Sequence, residues 1–187
     1  MEQIVDGLGK LVEGINSVEA ALESGRVNEI IFLSRKNKSN RMDSLIDIAQ
    51  KKKLKIREIN NKRDWEYNYR HSIVALCSPI QTYRESEVTK FKDSNFIVCD
   101  HIQDTNNLGA IVRSAAAFDF NVLAIPSKRS VKLSEKVFSI SSGGLEKVNI
   151  LIYNSIFSLI KKFNSLDIWT IGLDMKGDTE MNDVNFD

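Results

Sequence analysis

The sequence predicts an α/β protein made of two units. Short apolar runs typical of buried strands alternate with segments whose apolar residues recur at helical spacing. A stretch of mixed charge and little periodicity, residues 79–93, separates two such series of elements. The second series alternates strand and helix, as parallel sheets do. We therefore predict a small α/β domain over residues 1–78, a linker over 79–93 and a parallel-sheet domain over 94–187.

The first unit begins with a helix. Asn16 can cap it, with Glu19 three residues further on, and Gly25 is placed to end it. The apolar run EIIFL at 29–33 then predicts a buried strand.

A second helix is predicted to begin at Asn40. Its apolar residues fall on one face, at the spacing i, i+3, i+4, i+7; they are Met42, Leu45, Ile46 and Ala49. The segments LKIREI (54–59) and SIVALC (72–77) predict two more strands, which would complete a small sheet covered by helices.

The second unit opens with NFIVCDHI (95–102), a strand that ends at Asp100, and the helix DTNNLGAIVRSAAAF (104–118) follows. Further elements are predicted in the order strand, short helix, strand, helix, strand; the strands are NVLAIP (121–126), VNILIY (148–153) and DIWTIGL (167–173). This order predicts helices on both faces of a parallel sheet, with ligands bound beyond the carboxyl ends of the strands.

Composition predicts an ordinary soluble, cytoplasmic protein. Of the 187 residues, 42% are hydrophobic and 27% charged, and no apolar run approaches the roughly 18 residues of a membrane span. The first residues lack the pattern of a signal peptide. Cys77 and Cys99 lie in apolar, strand-like runs, which predicts two buried thiols.

The net charge of +1 conceals an uneven distribution. Residues 35–63 hold 11 basic and 3 acidic residues, so the first unit carries a strongly basic stretch. Such a stretch suits a phosphate backbone, and it is equally compatible with a solubilising surface.

Three common kinds of site are excluded. The sequence has neither the GxGxxG of dinucleotide folds nor the GxxxxGK[ST] of P-loops. His71 and His101 lie in different units without partners at metal-ligand spacing, so no metal site is predicted.

The helix at 104–118 is the candidate site. Asn106 or Asn107 can cap its first turn, and Gly109 permits close approach of another backbone or of a ligand. Arg113 lies one turn beyond Gly109. An anion at this helix start would meet backbone N–H groups, an amide and a guanidinium.

These residues carry a family resemblance. The pattern Asn107-x-Gly109-x-x-x-Arg113, followed by SAAAF, resembles the first motif of the SpoU/TrmH family of RNA ribose 2′-O-methyltransferases, in the SPOUT class. The preceding strand with Asp100 and Asp104, and the later SSGGLEKV, are similar to that family too. The segment VEGINSVEAALESGRVNEIIFL resembles its substrate-binding domain.

The resemblance implies methyl transfer from S-adenosylmethionine to a ribose 2′-hydroxyl. It gives Arg113 a role at that hydroxyl and Asn107 a role in shaping the site. A guanidinium with a pKa above about 12 is a poor base, so we favour phosphate anchoring and electrostatic stabilisation for Arg113. Gly109 and three residues of the basic stretch are then the predicted RNA contacts; these three are Lys36, Lys38 and Arg41.

The resemblance also implies a substrate and an assembly. The two-unit layout is similar to the ribosomal-RNA branch, which implies a 23S rRNA guanosine as target and a homodimer. Transfer RNA is the alternative substrate, and a non-catalytic RNA-binding module is the alternative function.

The chain departs from the family pattern at two places. His71 is followed by Ser72 and Ile73, where the family has His-Gln-Gly. The glycine-rich loop with a glutamate and the Ser-Leu-Asn motif, which form the family's knot and most of its methyl-donor pocket, are absent from the sequence. We therefore expect a C-terminally truncated member with no identifiable cofactor-binding residues, an unpaired sheet edge and little or no activity of its own.

Overall fold

The computed structural model describes residues 7–34 and 40–184. Within these residues the chain forms two four-stranded sheets with five α-helices, so the predicted α/β class is confirmed. No helix among them has both the length and the apolar character needed to cross a bilayer.

The first sheet is mixed and has the strand order β1-β4-β2-β3. β1 and β2 each run antiparallel to β4, and β3 runs parallel to β2. The elements of this unit are β1 (Leu11–Glu13), α1 (Ile15–Glu23), β2 (Val27–Leu33), α2 (Asn40–Lys51), β3 (Lys55–Ile59) and β4 (Ile73–Cys77).

Helix α2 packs as its periodicity predicts, because all four apolar residues of its predicted face are buried. Helix α1 differs from its prediction at the start. Its N-cap is Gly14, with φ at 88°, and no side chain caps it; Asn16 instead lies inside the first turn. The predicted end is confirmed, because Gly25 follows the helix with φ at 77°, which glycine adopts without strain.

The second sheet is entirely parallel and has the order β5-β8-β7-β6. Its elements are β5 (Thr82–Arg84), β6 (Phe96–Val98), α3 (Thr105–Ala117), β7 (Val122–Pro126), α4 (Glu135–Ile140), β8 (Asn149–Tyr153) and α5 (Ile156–Ser165). Two 3₁₀ segments, Glu85–Phe91 and Gly144–Glu146, complete it.

The stretch predicted as a linker contributes to this sheet. Residues 82–84 form β5, which pairs with β8, and the following 3₁₀ segment buries Val88 and Phe91. A three-residue strand is too short to show a period of two, which is why the sequence pattern did not reveal it. The domain boundaries remain a prediction.

Helices cover both faces of the parallel sheet, as predicted. Leu123 and Ile125 of β7 pack on the side of α3 and α4, whereas Val122 and Ala124 pack on the side of α5. The first of these cores continues without interruption into the apolar core of the first unit. The two units therefore share one hydrophobic core.

The prediction of a strand at 167–173 is wrong. This segment forms no strand, and no described strand pairs with it. Its alternating apolar residues lie on the surface, where Trp169 and Leu173 are 67% and 83% exposed. Alternation predicts a strand only where a neighbouring strand can accept its hydrogen bonds, and none is provided here.

Candidate functional site

The helix that carries the candidate residues begins at the carboxyl edge of the parallel sheet. Asp104 is its N-cap, and its Oδ1 accepts hydrogen bonds from the backbone N–H groups of Asn106 at 2.8 Å and Asn107 at 2.9 Å. The prediction that Asn106 or Asn107 caps the helix is therefore wrong. The bond from the Asn107 N–H, followed by that from Asn106, holds the pKa of Asp104 below its usual range.

Asn107 and Arg113 do not converge on one point. Both side chains are exposed, and they lie six residues apart on α3. Six residues correspond to about 9 Å along the helix and to about 120° of rotation around it. The predicted role of Asn107 in shaping a site around Arg113 has no direct contact to support it.

Gly109 is buried between α3 and α4. A Cβ built on it would lie 2.5 Å from Cγ2 of Ile140. The close approach predicted at this glycine is therefore made by a helix of the same chain. This packing occupies the place that a substrate contact at Gly109 would need.

Arg113 lies on a groove of about 400 Å³ between the two units. The lining residues come from α1, α2, α3 and the turn after α4; they include Asn16, Glu19, Glu23, Arg41, Arg113, Ser141, Ser142 and Lys147. The structure thus brings together Arg113 and Arg41, two predicted site residues that are 72 positions apart.

Two of the three cations in this groove are paired. Arg41 forms an ion pair with Glu19, and the Lys147 Nζ lies 4.0 Å from an Oε2 of Glu23. Among the described residues, no ion pair or hydrogen bond is found for the Arg113 guanidinium. Arg113 is therefore the cation available to an anionic ligand. Lys36 and Lys38, the other predicted RNA contacts, lie outside the described residues.

The turn at residues 141–144 forms the wall of the groove opposite α1. Gly143 has φ at 90°, and a Cβ on it would lie 2.8 Å from that of Ala20 in α1. A Cβ on Gly144 would lie 3.1 Å from the backbone oxygen of Val112 in α3. The two glycines let this turn fit between helices of both units. Sequence reasoning noted SSGGLE only through resemblance and missed Ser141, Ser142 and Lys147 as groove residues.

The carboxyl edge of the parallel sheet holds polar groups that bond to each other. The hydroxyl of Tyr153 donates to the backbone oxygen of Cys99 at 2.9 Å, and Ser127 donates to Asn154 Oδ1 at 2.8 Å. Burial, and then the nearby charge of Asp100, raises the pKa of Tyr153. Burial also raises the pKa of Cys99 to about 11.

No group of three potential metal ligands is found in residues 7–34 and 40–184.

Two family profiles match the chain and together cover most of it. The SpoU rRNA Methylase family matches residues 94–187, which is half of the chain. The profile described as RNA 2′-O ribose methyltransferase substrate binding matches residues 11–82.

Curated relatives match along nearly the whole chain at low identity. A protein of Staphylococcus epidermidis, named as a TrmH family tRNA/rRNA methyltransferase, is 25% identical over 194 aligned positions, covering 100% of this chain and 76% of that protein. The 23S rRNA (guanosine-2′-O-)-methyltransferase RlmB of Xylella fastidiosa is 24% identical, covering 91% of this chain and 72% of its own.

Solved structures share the fold. The SpoU methyltransferase AviRb from Streptomyces viridochromogenes, in complex with the cofactor AdoMet, superposes with a TM-score of 0.62 at 16% identity over 83% of this chain. An AdoMet-bound rRNA methyltransferase from Sinorhizobium meliloti gives 0.55 at 15% identity over 84% of it. This chain spans 58% and 57% of the length of these two proteins.

The two profile matches follow the order of the two units, and the resemblance read from Asn107, Gly109 and Arg113 falls inside the second match. The chain belongs to the SpoU rRNA Methylase family.

Proposed function

We propose that this protein takes part in the methylation of RNA at ribose 2′-hydroxyls, with S-adenosylmethionine as the methyl donor. The observation that carries the proposal is the position of Arg113. Its exposed guanidinium lies in a groove whose other wall belongs to the substrate-binding unit. A ribose–phosphate segment held by that unit would reach Arg113.

The reaction transfers a methyl group from the sulfonium of S-adenosylmethionine to the 2′-oxygen. The carbon–sulfur bond breaks, the carbon–oxygen bond forms, and the hydroxyl proton passes to solvent. The donor supplies the electrophilic methyl group. Arg113 binds the neighbouring phosphate and stabilises negative charge as it develops on the 2′-oxygen.

The polar groups at the carboxyl edge of the sheet show no open hydrogen-bonding position that would identify a donor contact. The polar groups there, Tyr153, Ser127 and Asn154, are engaged with each other or with the backbone. We therefore assign no residue of this chain to the donor. The homodimer and the cytoplasmic location stay predictions.

Ribosomal RNA is the proposed substrate. Similarity to a 23S rRNA guanosine-2′-O-methyltransferase over 91% of this chain favours a large-subunit guanosine. Transfer RNA is the second candidate, because the staphylococcal relative is named for both RNA classes.

A methyl-transfer assay tests the proposal. The chain is incubated with labelled S-adenosylmethionine and either 23S rRNA or bulk tRNA, and the label in RNA is counted. Arg113→Ala should remove most of the methyl incorporation. Arg113→Lys should also retain little of it, because lysine lacks the planar guanidinium that binds a phosphate through two hydrogen bonds. Lys161→Ala is the control, since this exposed lysine lies on α5, on the other face of the sheet.

The outcomes separate the enzyme from a binding module. Incorporation that depends on Arg113 supports the enzyme and identifies the RNA class. RNA binding without incorporation, unaffected by Arg113→Ala, would support a non-catalytic RNA-binding module instead.

A further inference from the structure

A second pocket, of about 250 Å³, adjoins the groove. It lies between the start of α1, the segment before β4 and the end of α4; its lining includes Glu13, Gly14, Asn16, Ser17, Arg70, His71, Ser139 and Ser142. Asn16 and Ser142 line both the pocket and the groove, so the two cavities form one continuous surface.

The start of α1 points unused backbone donors at this pocket. The first helical hydrogen bond runs from the Val18 N–H to the Gly14 oxygen, at 2.9 Å. The N–H groups of residues 15–17 have no partner within the described residues, and no side chain caps the helix. A helix start of this kind binds anions through its free N–H groups and the positive end of the helix dipole.

The hydroxyl of Ser17 is open to this pocket. Ser17 lines the pocket, the residue is only 5% exposed, and its hydroxyl makes no hydrogen bond within the described part of the chain. Its oxygen is not among the fully enclosed atoms that lack a partner, so the access that remains to it is through the pocket. A bound oxyanion would accept a hydrogen bond from this hydroxyl.

Arg70 gives the pocket a positive charge, and His71 forms part of its wall. Arg70 lies beside the ring of Tyr69, 5.9 Å from its centroid, and forms no ion pair with a described residue. His71 packs against Gly14 so closely that a Cβ there would lie 2.9 Å from its Nδ1. Glu13 is the acidic residue among those that line the pocket; its Oε1 accepts a hydrogen bond from the Asn68 N–H at 3.1 Å, and its negative charge is opposed by Arg70 and by the positive end of the helix.

We propose that this pocket binds a backbone phosphate of the acceptor RNA, next to the nucleotide whose ribose lies at Arg113. The inference rests on the proposed function, because it takes RNA as the ligand of the groove. A single-stranded segment would run from Arg113 past Asn16 and Ser142 to Arg70 and His71. The pocket therefore fixes the register of the strand, whereas the groove holds the reacting ribose.

An isosteric substitution tests the pocket. Asn16→Asp places a carboxylate in the first turn of α1, where it repels a phosphate but favours the helix through its dipole. We expect the affinity of the chain for a fluorescent single-stranded RNA of defined sequence to fall roughly tenfold, with an unchanged or higher melting temperature. Asn28→Asp is the matched control: this exposed residue is the second of β2 and does not line the pocket. Its effect on affinity should be less than about twofold.

A salt titration gives a second readout. Arg70→Ala should lower the slope of log affinity against log salt by about 0.7, the value for one phosphate contact on single-stranded RNA. Equal RNA affinities for Asn16→Asp, Arg70→Ala and wild type would overturn the proposed phosphate site while leaving the proposed function intact. A wild-type chain that binds no RNA would overturn both.

Inorganic phosphate separates RNA from a free anion as the ligand. In amide NMR spectra, RNA should shift the signals of residues 15–17 at concentrations far below those needed with inorganic phosphate. Shifts with inorganic phosphate but none with bound RNA would show that the pocket lies off the RNA path, and would overturn the inference.

Discussion

The guanidinium of Arg26 and the carboxylate of Glu146 form an ion pair that joins the two units of the chain. The Glu146 side chain is 1% exposed and that of Arg26 14%. Arg26 Nε donates to Glu146 Oε2 at 2.8 Å, and the hydroxyl of Ser24 donates to the same oxygen at 2.9 Å. Because Arg26 follows α1 and Glu146 follows the glycine turn, this pair holds together the two walls of the groove.

Removing Arg26 should destabilise the protein strongly. Arg26→Ala leaves the Glu146 carboxylate buried without its partner, and such a change typically lowers the free energy of unfolding by about 3–5 kcal/mol. Urea denaturation measures it. The double variant Arg26→Met, Glu146→Leu should recover most of the loss, since no buried charge remains. If Arg26→Ala lowers the free energy of unfolding by less than about 1 kcal/mol, the ion pair does not hold the two units together.

Gly109 should be intolerant of alanine for a packing reason. The added Cβ would overlap Ile140, so Gly109→Ala should lower the free energy of unfolding by about 1–3 kcal/mol. In an Ile140→Ala background the same substitution should cost much less, which a double-mutant cycle measures. Gly172→Ala, at a position with open space around it, is the control. Additive effects at residues 109 and 140 would contradict the contact.

The Asp104 cap should give α3 a pH-dependent contribution to stability. The pKa of Asp104 in the folded state lies below its ordinary value of 3.8. The stabilisation is therefore present above that value and is lost as the pH falls through the folded-state pKa. Asp104→Asn should melt a few degrees below wild type at pH 7, and the difference should vanish in strong acid.

The control for this cap is Asp93→Asn. Asp93 is also exposed and makes no hydrogen bond with a described residue. A constant difference between Asp104→Asn and wild type from pH 7 to pH 2 would argue against the charge-assisted cap.

The two thiols should be unreactive in the folded protein. Burial raises the pKa of both Cys77 and Cys99 from 9.0 to about 11. At pH 8 this leaves roughly 100-fold less thiolate than in the unfolded chain, so iodoacetamide should react only after denaturation. Rapid alkylation of the native protein would show that the thiols are accessible.

The same shifts predict an alkaline loss of stability. Because the folded-state pKa of each thiol is raised, the stabilisation is complete below pH 9 and declines as the pH rises towards 11. The double variant Cys77→Ala, Cys99→Ala should show a flatter stability profile between pH 9 and 11.

Features that depend on neighbours in sequence were predictable. The four buried residues of α2 follow from helical spacing alone, and the strand–helix alternation was sufficient to predict the α/β class. The pattern of Asn107, Gly109 and Arg113, together with its flanking segments, was sufficient to indicate the family that the profile matches show. Local hydrogen bonding and side-chain periodicity determine these features, and both are written in consecutive residues.

Features that depend on distant residues were decided by the tertiary structure. The alternation at 167–173 has no strand to pair with, and the short β5 is a strand only because β8 lies beside it. Gly109 serves helix packing because Ile140 contacts it. Arg41 and Arg113 line one groove because the ion pair of Arg26 with Glu146 joins the units. Strand pairing, packing and groove lining need a partner from elsewhere in the chain, and only folding supplies that partner.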